Sequence, residues 1–284
     1  MPYLPGALVQ SAPNFSEGRD QTVIEAIVAA ADGIEGVRVA DWSADTDHNR
    51  MVVTLVGAPC SVLNAAIAMA GASVRLIDLS KHEGVHPRLG AIDVLPFVPL
   101  VDITLDECVS LARDAAKEIA SRFDLPVFLY EAASPLHRAL PSIRKRAFVD
   151  FGPDFGPSKP HPTAGAVVVG ARSPLIAYNL DLGCNDLSLA RSVARELRRR
   201  YPDCVRALGL ALPSRGIVQV SMNIISPENV SLPEIIAFVS ERAPVLRGEL
   251  IGALPGYTAF DAVKSALKLG DLKPGQVLLE NWIR

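Results

Sequence analysis

At 284 residues, with 49% hydrophobic and 21% charged side chains, the chain has ample apolar material for a core, which excludes a disordered protein and leaves length for two subdomains of about 150 residues. A formal net charge of −3 offers no general attraction to polyanions, so nucleic acid is not an expected partner. No apolar run reaches the roughly 18 residues of a membrane span, and the start MPYLPGALVQSAPNFSEG lacks the basic and apolar stretches of an export signal, so the expected setting is cytoplasmic, with no membrane partner.

In chain order, period and punctuation predict a strand near Ala7–Ser11, a helix over Gln21–Ala31 opened by Asp20, and strands near Val37–Ala40 and Met51–Val56. A second helix, Ser61–Ala72, leads to Arg75–Asp78, and a loop then runs into a strand over Ala91–Val98. A third helix, Leu105–Arg122, precedes a strand at Val127–Tyr130. Pro141 to Pro162 is rich in proline, glycine and charge and reads as a linker or binding loop. The plan then repeats. Strands are expected near Ala166–Gly170, Ile176–Asp181, Arg206–Ala211, Val218–Asn223 and Glu249–Ala253, with helices at Leu187–Arg199 and Leu232–Glu241. Each half fits a split β-α-β of the ferredoxin-like kind, giving an α+β fold with two similar subdomains, 1–155 and 156–284. Arg195, Arg198, Arg199, Arg200 and Arg206 read as the solvated end of a helix, where cations complement the dipole, with binding of a substrate's acidic tail as the alternative.

Cys60, Cys108, Cys184 and Cys204 are widely spaced, with no CxxC pair, and read as reduced core cysteines. His82-Glu83-Gly84-Val85-His86 is literally H-E-x-x-H, the zinc-peptidase pattern. That pattern needs a helix, and Gly84 together with Pro87 disfavours one, so no metal is expected. What remains is the polar segment Lys81 to Arg88, either a hydrogen-bonded surface loop or a site in which a histidine moves protons beside carboxylate-holding cations. Asp45-Thr46-Asp47-His48-Asn49-Arg50 joins two strands and reads as a turn that positions substrate, without the glycine and glutamate of an EF-hand. Asn14-Phe15-Ser16 reads as the polar end of the first strand. The segment Gly156-Pro157-Ser158-Lys159-Pro160-His161-Pro162-Thr163-Ala164-Gly165 is either a rigid linker or a rim that lies against a planar ligand. Neither G-x-G-x-x-G nor G-x-x-x-x-G-K-S/T occurs with its required flanks, so nucleotide binding lacks its signals.

Several strings together resemble one family. They are Ala12-Pro13-Asn14-Phe15-Ser16-Glu17-Gly18, Asp47-His48-Asn49-Arg50, Ile77-Asp78 through His86-Pro87-Arg88-Leu89-Gly90-Ala91-Ile92-Asp93-Val94, Pro126 to Ala133, Pro153-Asp154-Phe155-Gly156-Pro157, and Gln219-Val220-Ser221-Met222-Asn223. In order, from about residue 9 to about residue 254, the chain is similar to glutamate formiminotransferase, the transferase module of formiminotransferase-cyclodeaminase. The resemblance implies two ferredoxin-like subdomains with a folate groove between them, and transfer of a formimino group from formiminoglutamate to N5 of tetrahydrofolate. It puts the catalytic role on His86 of the H-P-R-x-G string, not on His82, and folate binding on Gly156 through Gly165. Arg50, Arg88 and Lys159 are the expected carboxylate-holding cations, with Asn14 and Asn49 as hydrogen-bonding partners and His82 in the same loop. The family commonly has a second carboxylate two residues after the aspartate that ends its second strand. Here Asp41 is followed by Trp42 and Ser43, so Asp45 or Asp41 takes that part. No cyclodeaminase module is expected in this chain, and a homodimer is the expected assembly. A non-catalytic folate-binding protein and a metal-dependent amide hydrolase using the HEGVH segment are the alternatives.

Overall fold

Apolar alternation makes strands, and side-chain caps open the helices that cover them. The computed structural model describes residues 3–268, and the chain divides into two compact units, Met1–Ser173 and Pro174–Arg284.

The first unit begins with β1 (Leu8–Ser11) and β2 (Asn14–Phe15), two pieces of one strand parted at Ala12-Pro13, where the proline has no N–H to donate. Then come α1 (Gln21–Ala29), β3 (Val37–Asp45), β4 (Arg50–Gly57), α2 (Pro59–Leu76), β5 (Ile92–Val101), α3 (Leu105–Phe123), β6 (Val127–Glu131), α4 (Leu140–Arg146) and β7 (Val167–Ala171). The sheet runs β3-β4-β1/β2-β5-β7-β6. Its first part is antiparallel, and β5, β7 and β6 are parallel, with Val168 opposite both Val94 and Phe128. Every residue of β7 is buried, as expected of a parallel strand covered on both faces.

Helix starts follow the caps. Asp20 accepts hydrogen bonds from the Thr22 and Val23 amides at 2.9 and 3.2 Å, and Thr104 and Glu107 form a reciprocal capping box at α3. Thr104→Ala is therefore expected to cost ~1 kcal/mol in a urea titration with an unchanged slope. An unmoved midpoint would mean that α3 is held by packing alone. α2 is long and apolar enough to cross a membrane, a length the sequence reading did not allow for. It packs against α1, α3 and β1 and buries Val62, Ala65, Ala66, Met69 and Ala70 in the unit's core.

The second unit contains β8 (Ile176–Leu182), α5 (Leu187–Arg200), β9 (Val205–Leu212), β10 (Ile217–Ile224), α6 (Leu232–Ser240), β11 (Val245–Ile251) and α7 (Gly256–Ala266). Its sheet is antiparallel in the order β11-β8-β10-β9. Leu180, Leu197, Val220 and Ile235 belong to its core. Arg198, Arg199 and Arg200 occupy the last turn of α5, where the sequence put them. One plan recurs in both units: strand, helix, two strands, helix, strand, with spatial order fourth, first, third, second.

Several features differ from the sequence reading. Of the four cysteines expected in the core, only Cys108 is buried, and Cys60 is exposed. The stretch read as a linker or binding loop contains most of α4, whose Pro141 sits in the first turn, where a missing N–H costs nothing. Beyond it, β7 returns to the first sheet between β5 and β6, so the first unit continues to Ser173, whereas the sequence put the division at 155/156. The formation of β11 from Val245 and the presence of α7 were also not read from the sequence.

Candidate active site

The loop between α2 and β5 opens with a single 3-10 turn, Leu79–Lys81, capped by Asp78 through the Ser80 amide at 3.1 Å. After that turn His82 is extended, with φ −94° and ψ 129°, so the H-E-x-x-H segment is not a helix and its two histidines do not share a helical face. The loop is tied to the turn between β3 and β4. The Arg88 guanidinium donates to the backbone carbonyls of His86 at 2.8 Å, His48 at 3.0 Å and Asn49 at 3.3 Å, and it contacts the His82 ring. Asn49, itself at φ 45°, donates to the Glu83 carbonyl and accepts from the Gly18 amide, both at 2.9 Å. Arg88, Asn49 and His82 therefore hold the loop together, and the Arg88 donors are engaged within the protein.

His86 presents its ring differently. Its Nδ1 lies 2.7 Å from the Pro87 carbonyl, which can only accept, so Nδ1 carries the hydrogen and Nε2 is left with a lone pair. The His48 ring meets it edge-on at 5.8 Å. Burial, reinforced by Arg50 and Arg144, pushes the His86 pKa down to about 2 against the opposing pull of Asp93. The imidazole is therefore neutral at neutral pH.

Beneath it lies a buried ionic cluster. Asp93, on β5, is fully buried and accepts from the Leu89 amide and from Arg50 Nη1, each at 2.6 Å, and also from Arg144 Nη2. Burial opposes the Asp93 charge, but the two arginines and the Leu89 amide outweigh it and hold the carboxyl at about 2. Asn14 Oδ1 accepts from Arg50 Nη2 at 2.7 Å and Nε at 3.1 Å. Burial lowers the Arg50 pKa, partly offset by Asp93. Arg144 Nε is buried and has no hydrogen-bond partner among the described residues.

The stretch from Gly156 to Gly165 reaches the same loop. His161 and Gly165 exchange backbone hydrogen bonds at 2.8 and 3.0 Å, the Ala91 amide donates to the Ala164 carbonyl at 2.9 Å, and the Leu79 amide to the Thr163 carbonyl at 2.8 Å. His161 Nδ1 accepts from the Ala164 amide at 3.0 Å and closes this turn. A Cβ at Gly90 would collide with the Ala166 carbonyl, so the two backbones meet here only because Gly90 has no side chain. Pro162 and the Ser158-Lys159-Pro160 segment face solvent, with Gly156 exposed and Pro157 half-buried.

All the candidate catalytic, folate-binding and substrate-binding residues thus lie in the first unit. Asn14 and Arg50 join the cluster near His86, while Asp45 accepts from the His48 amide at 2.7 Å and stands behind His48. Asp41 is exposed on β3. The carboxylate whose charge acts on His86 is Asp93, to which the sequence reading assigned no role. Arg144 was missed altogether. A signal for Asp93 existed: an ionised residue inside the apolar run Ile92–Val98 must find buried cations.

Residues 8–172 match a family model described as the formiminotransferase domain, N-terminal subdomain. A glutamate formimidoyltransferase of Streptococcus pyogenes serotype M1 is 40% identical over 97% of this chain and 98% of its own length. One from Thermoplasma acidophilum is 34% identical over 96% of each. A formimidoyltransferase-cyclodeaminase of Gallus gallus is 35% identical over 92% of this chain, which spans 52% of that longer protein.

Proposed function

The chain belongs to the glutamate formimidoyltransferase family, and from that premise we propose that His86 carries the transfer of the formimino group from N-formimino-L-glutamate to N5 of tetrahydrofolate. The products are 5-formiminotetrahydrofolate and glutamate. As N5 attacks the formimino carbon, His86 Nε2 takes the N5 proton and a tetrahedral intermediate forms. His86 then gives that proton to the glutamate nitrogen as its bond to carbon breaks. General acid–base work of this kind is typically worth 10²–10⁴-fold, and holding two substrates together removes a bimolecular encounter.

The observation that carries this reading is the neutral His86 ring, held by the Pro87 carbonyl with Nε2 free of that bond, beside two partly buried arginines. The rim Gly156–Gly165 is the folate contact, supported by its hydrogen bonds to the His86 loop. Each unit's strand order supports a ferredoxin-like assignment, the first extended by α3, β6, α4 and β7. The reading also has the enzyme work in the cytoplasm, without a metal and as a homodimer.

The test is to incubate purified protein with formiminoglutamate and tetrahydrofolate and to separate the folate products while measuring glutamate release. Formation of 5-formiminotetrahydrofolate in step with glutamate is the expected result. Folate binding without turnover would replace this reading with a non-catalytic folate binder. Glutamate release that needs no folate and stops on chelation would replace it with a metal-dependent hydrolase.

A further inference from the structure

We propose that Arg144, with Arg50 as a second cation, receives the α-carboxylate of formiminoglutamate at the buried cluster beside His86. The proposal rests on the reading of His86 as the group that moves the protons.

Three observations point to this ligand. Arg50 and Arg144 share one carboxylate, Asp93, so two positive charges and one negative leave the cluster with a net charge of one positive. A buried surplus charge is costly until a counter-ion arrives. Arg144 Nε, buried and without an acceptor among the described residues, is a donor with nothing to donate to, and unsatisfied buried donors of this kind mark a missing partner. The other candidate cations are differently placed: Arg88 donates to three backbone carbonyls, and Lys159 is exposed.

The chemistry of the donor selects which carboxylate docks. In formiminoglutamate only the nitrogen and Cα separate the transferred carbon from the α-carboxylate. The γ-carboxylate lies two methylenes further away, and the carboxylates of the folate tail lie beyond the aminobenzoyl ring, far from N5. A cation next to the proton-transferring histidine therefore meets the α-carboxylate.

Docking has a consequence for His86. The charged and titratable groups around it are Arg50 from β4, Arg144 from α4, Asp93 from β5, Arg88 and His82 from its own loop, and His48 from the β3–β4 turn. Of these, Arg50 and Arg144 disfavour protonation most strongly after burial itself. A bound carboxylate offsets both, so His86 becomes a stronger base only when the donor is in place, which is when catalysis needs it.

Steady-state kinetics of Arg144→Gln and Arg144→Lys test this. Arg144→Gln is expected to raise the KM for formiminoglutamate by roughly 10- to 100-fold, the usual worth of a charged hydrogen bond, while the KM for tetrahydrofolate stays within about twofold, and Arg144→Lys recovers part of the loss. In Arg144→Gln the His86 ring, followed by NMR in the folded, ligand-free protein, should take up its proton at a higher pH than in wild type, since removing one cation favours the protonated form. A residue that only supports the fold would leave that titration in place. Donor analogues supply a readout in the unaltered protein. An α-carboxamide donor should bind at least about tenfold more weakly than the γ-carboxamide, and in Arg144→Gln the two should bind alike. Equal binding of the analogues to the wild-type protein would overturn the proposal, as would a loss confined to tetrahydrofolate. Because analogue binding is read by calorimetry without turnover, an inactive wild-type protein would count against His86 and leave the carboxylate site to be judged separately.

Discussion

Replacing His86 with alanine is expected to lower formimino transfer by roughly 10²–10⁴-fold in a variant whose circular dichroism and neutral-pH unfolding midpoint stay close to wild type. The loss should fall on kcat and kcat/KM alike, because the ring moves protons in the transition state and contributes little to holding either ground state. Stability measured against pH supplies an independent check. In the folded protein burial and the two arginines keep the imidazole neutral down to about 2, while in the unfolded chain it takes up a proton at an ordinary value near 6.5. Below about pH 6.5 the unfolded state therefore binds more protons, so stability is complete above that value and declines as pH falls, by ~1.4 kcal/mol per unit. His86→Ala removes this component, and its unfolding midpoint in urea should fall less than that of wild type between pH 6.5 and 4.5. Parallel midpoints together with unimpaired turnover would remove His86 from both roles.

Much of the fold was legible because its determinants are local. Asp20 announced α1, and the apolar period of Leu187–Arg199 gave α5 within a residue. What escaped depends on partners distant in sequence. β7 is a short apolar run, and nothing within it says that it lies parallel between β5 and β6 rather than opening a second half. α4 was hidden by Pro141, which reads as a breaker unless it is recognised as a first-turn residue. With α4 went Arg144, so half of the cationic pair near His86 was lost to a single misread proline. The choice of His86 over His82 came from the resemblance. Residue chemistry alone gave a polar loop with two histidines, and only the geometry separates them, His82 against the Arg88 guanidinium and His86 against the Pro87 carbonyl. Arg88 illustrates the same limit, since an arginine that ties carbonyls together and one that binds a substrate carboxylate are identical in sequence.

Asp93→Asn is expected to cost about 3–5 kcal/mol of folding stability, a large share of the roughly 5–15 kcal/mol that holds a domain together, and to abolish transfer in any protein that does fold. Asparagine nearly matches aspartate in shape and can still accept from the Leu89 amide, so packing is not the cause. The cause is charge: with Asp93 neutral, Arg50 and Arg144 face each other in a buried site with no anion between them. The wild-type carboxyl carries the same information in its titration. Held at about 2 against an ordinary 3.8, it contributes on the order of 2 kcal/mol above pH 4, lost as pH falls through about 2. The sign of the imbalance also makes the two cluster variants unequal. Removing Arg144 leaves Arg50 and Asp93 as a neutral pair, whereas removing the Asp93 charge doubles the surplus from one positive charge to two. Chemical denaturation should accordingly find Arg144→Gln near wild type, Asp93→Asn severely destabilised, and the double variant more stable than Asp93→Asn alone. If Asp93→Asn and Arg144→Gln shift the midpoint equally, hydrogen-bond count and not charge balance governs the cluster, and the surplus positive charge no longer accounts for an anion-accepting site beside His86.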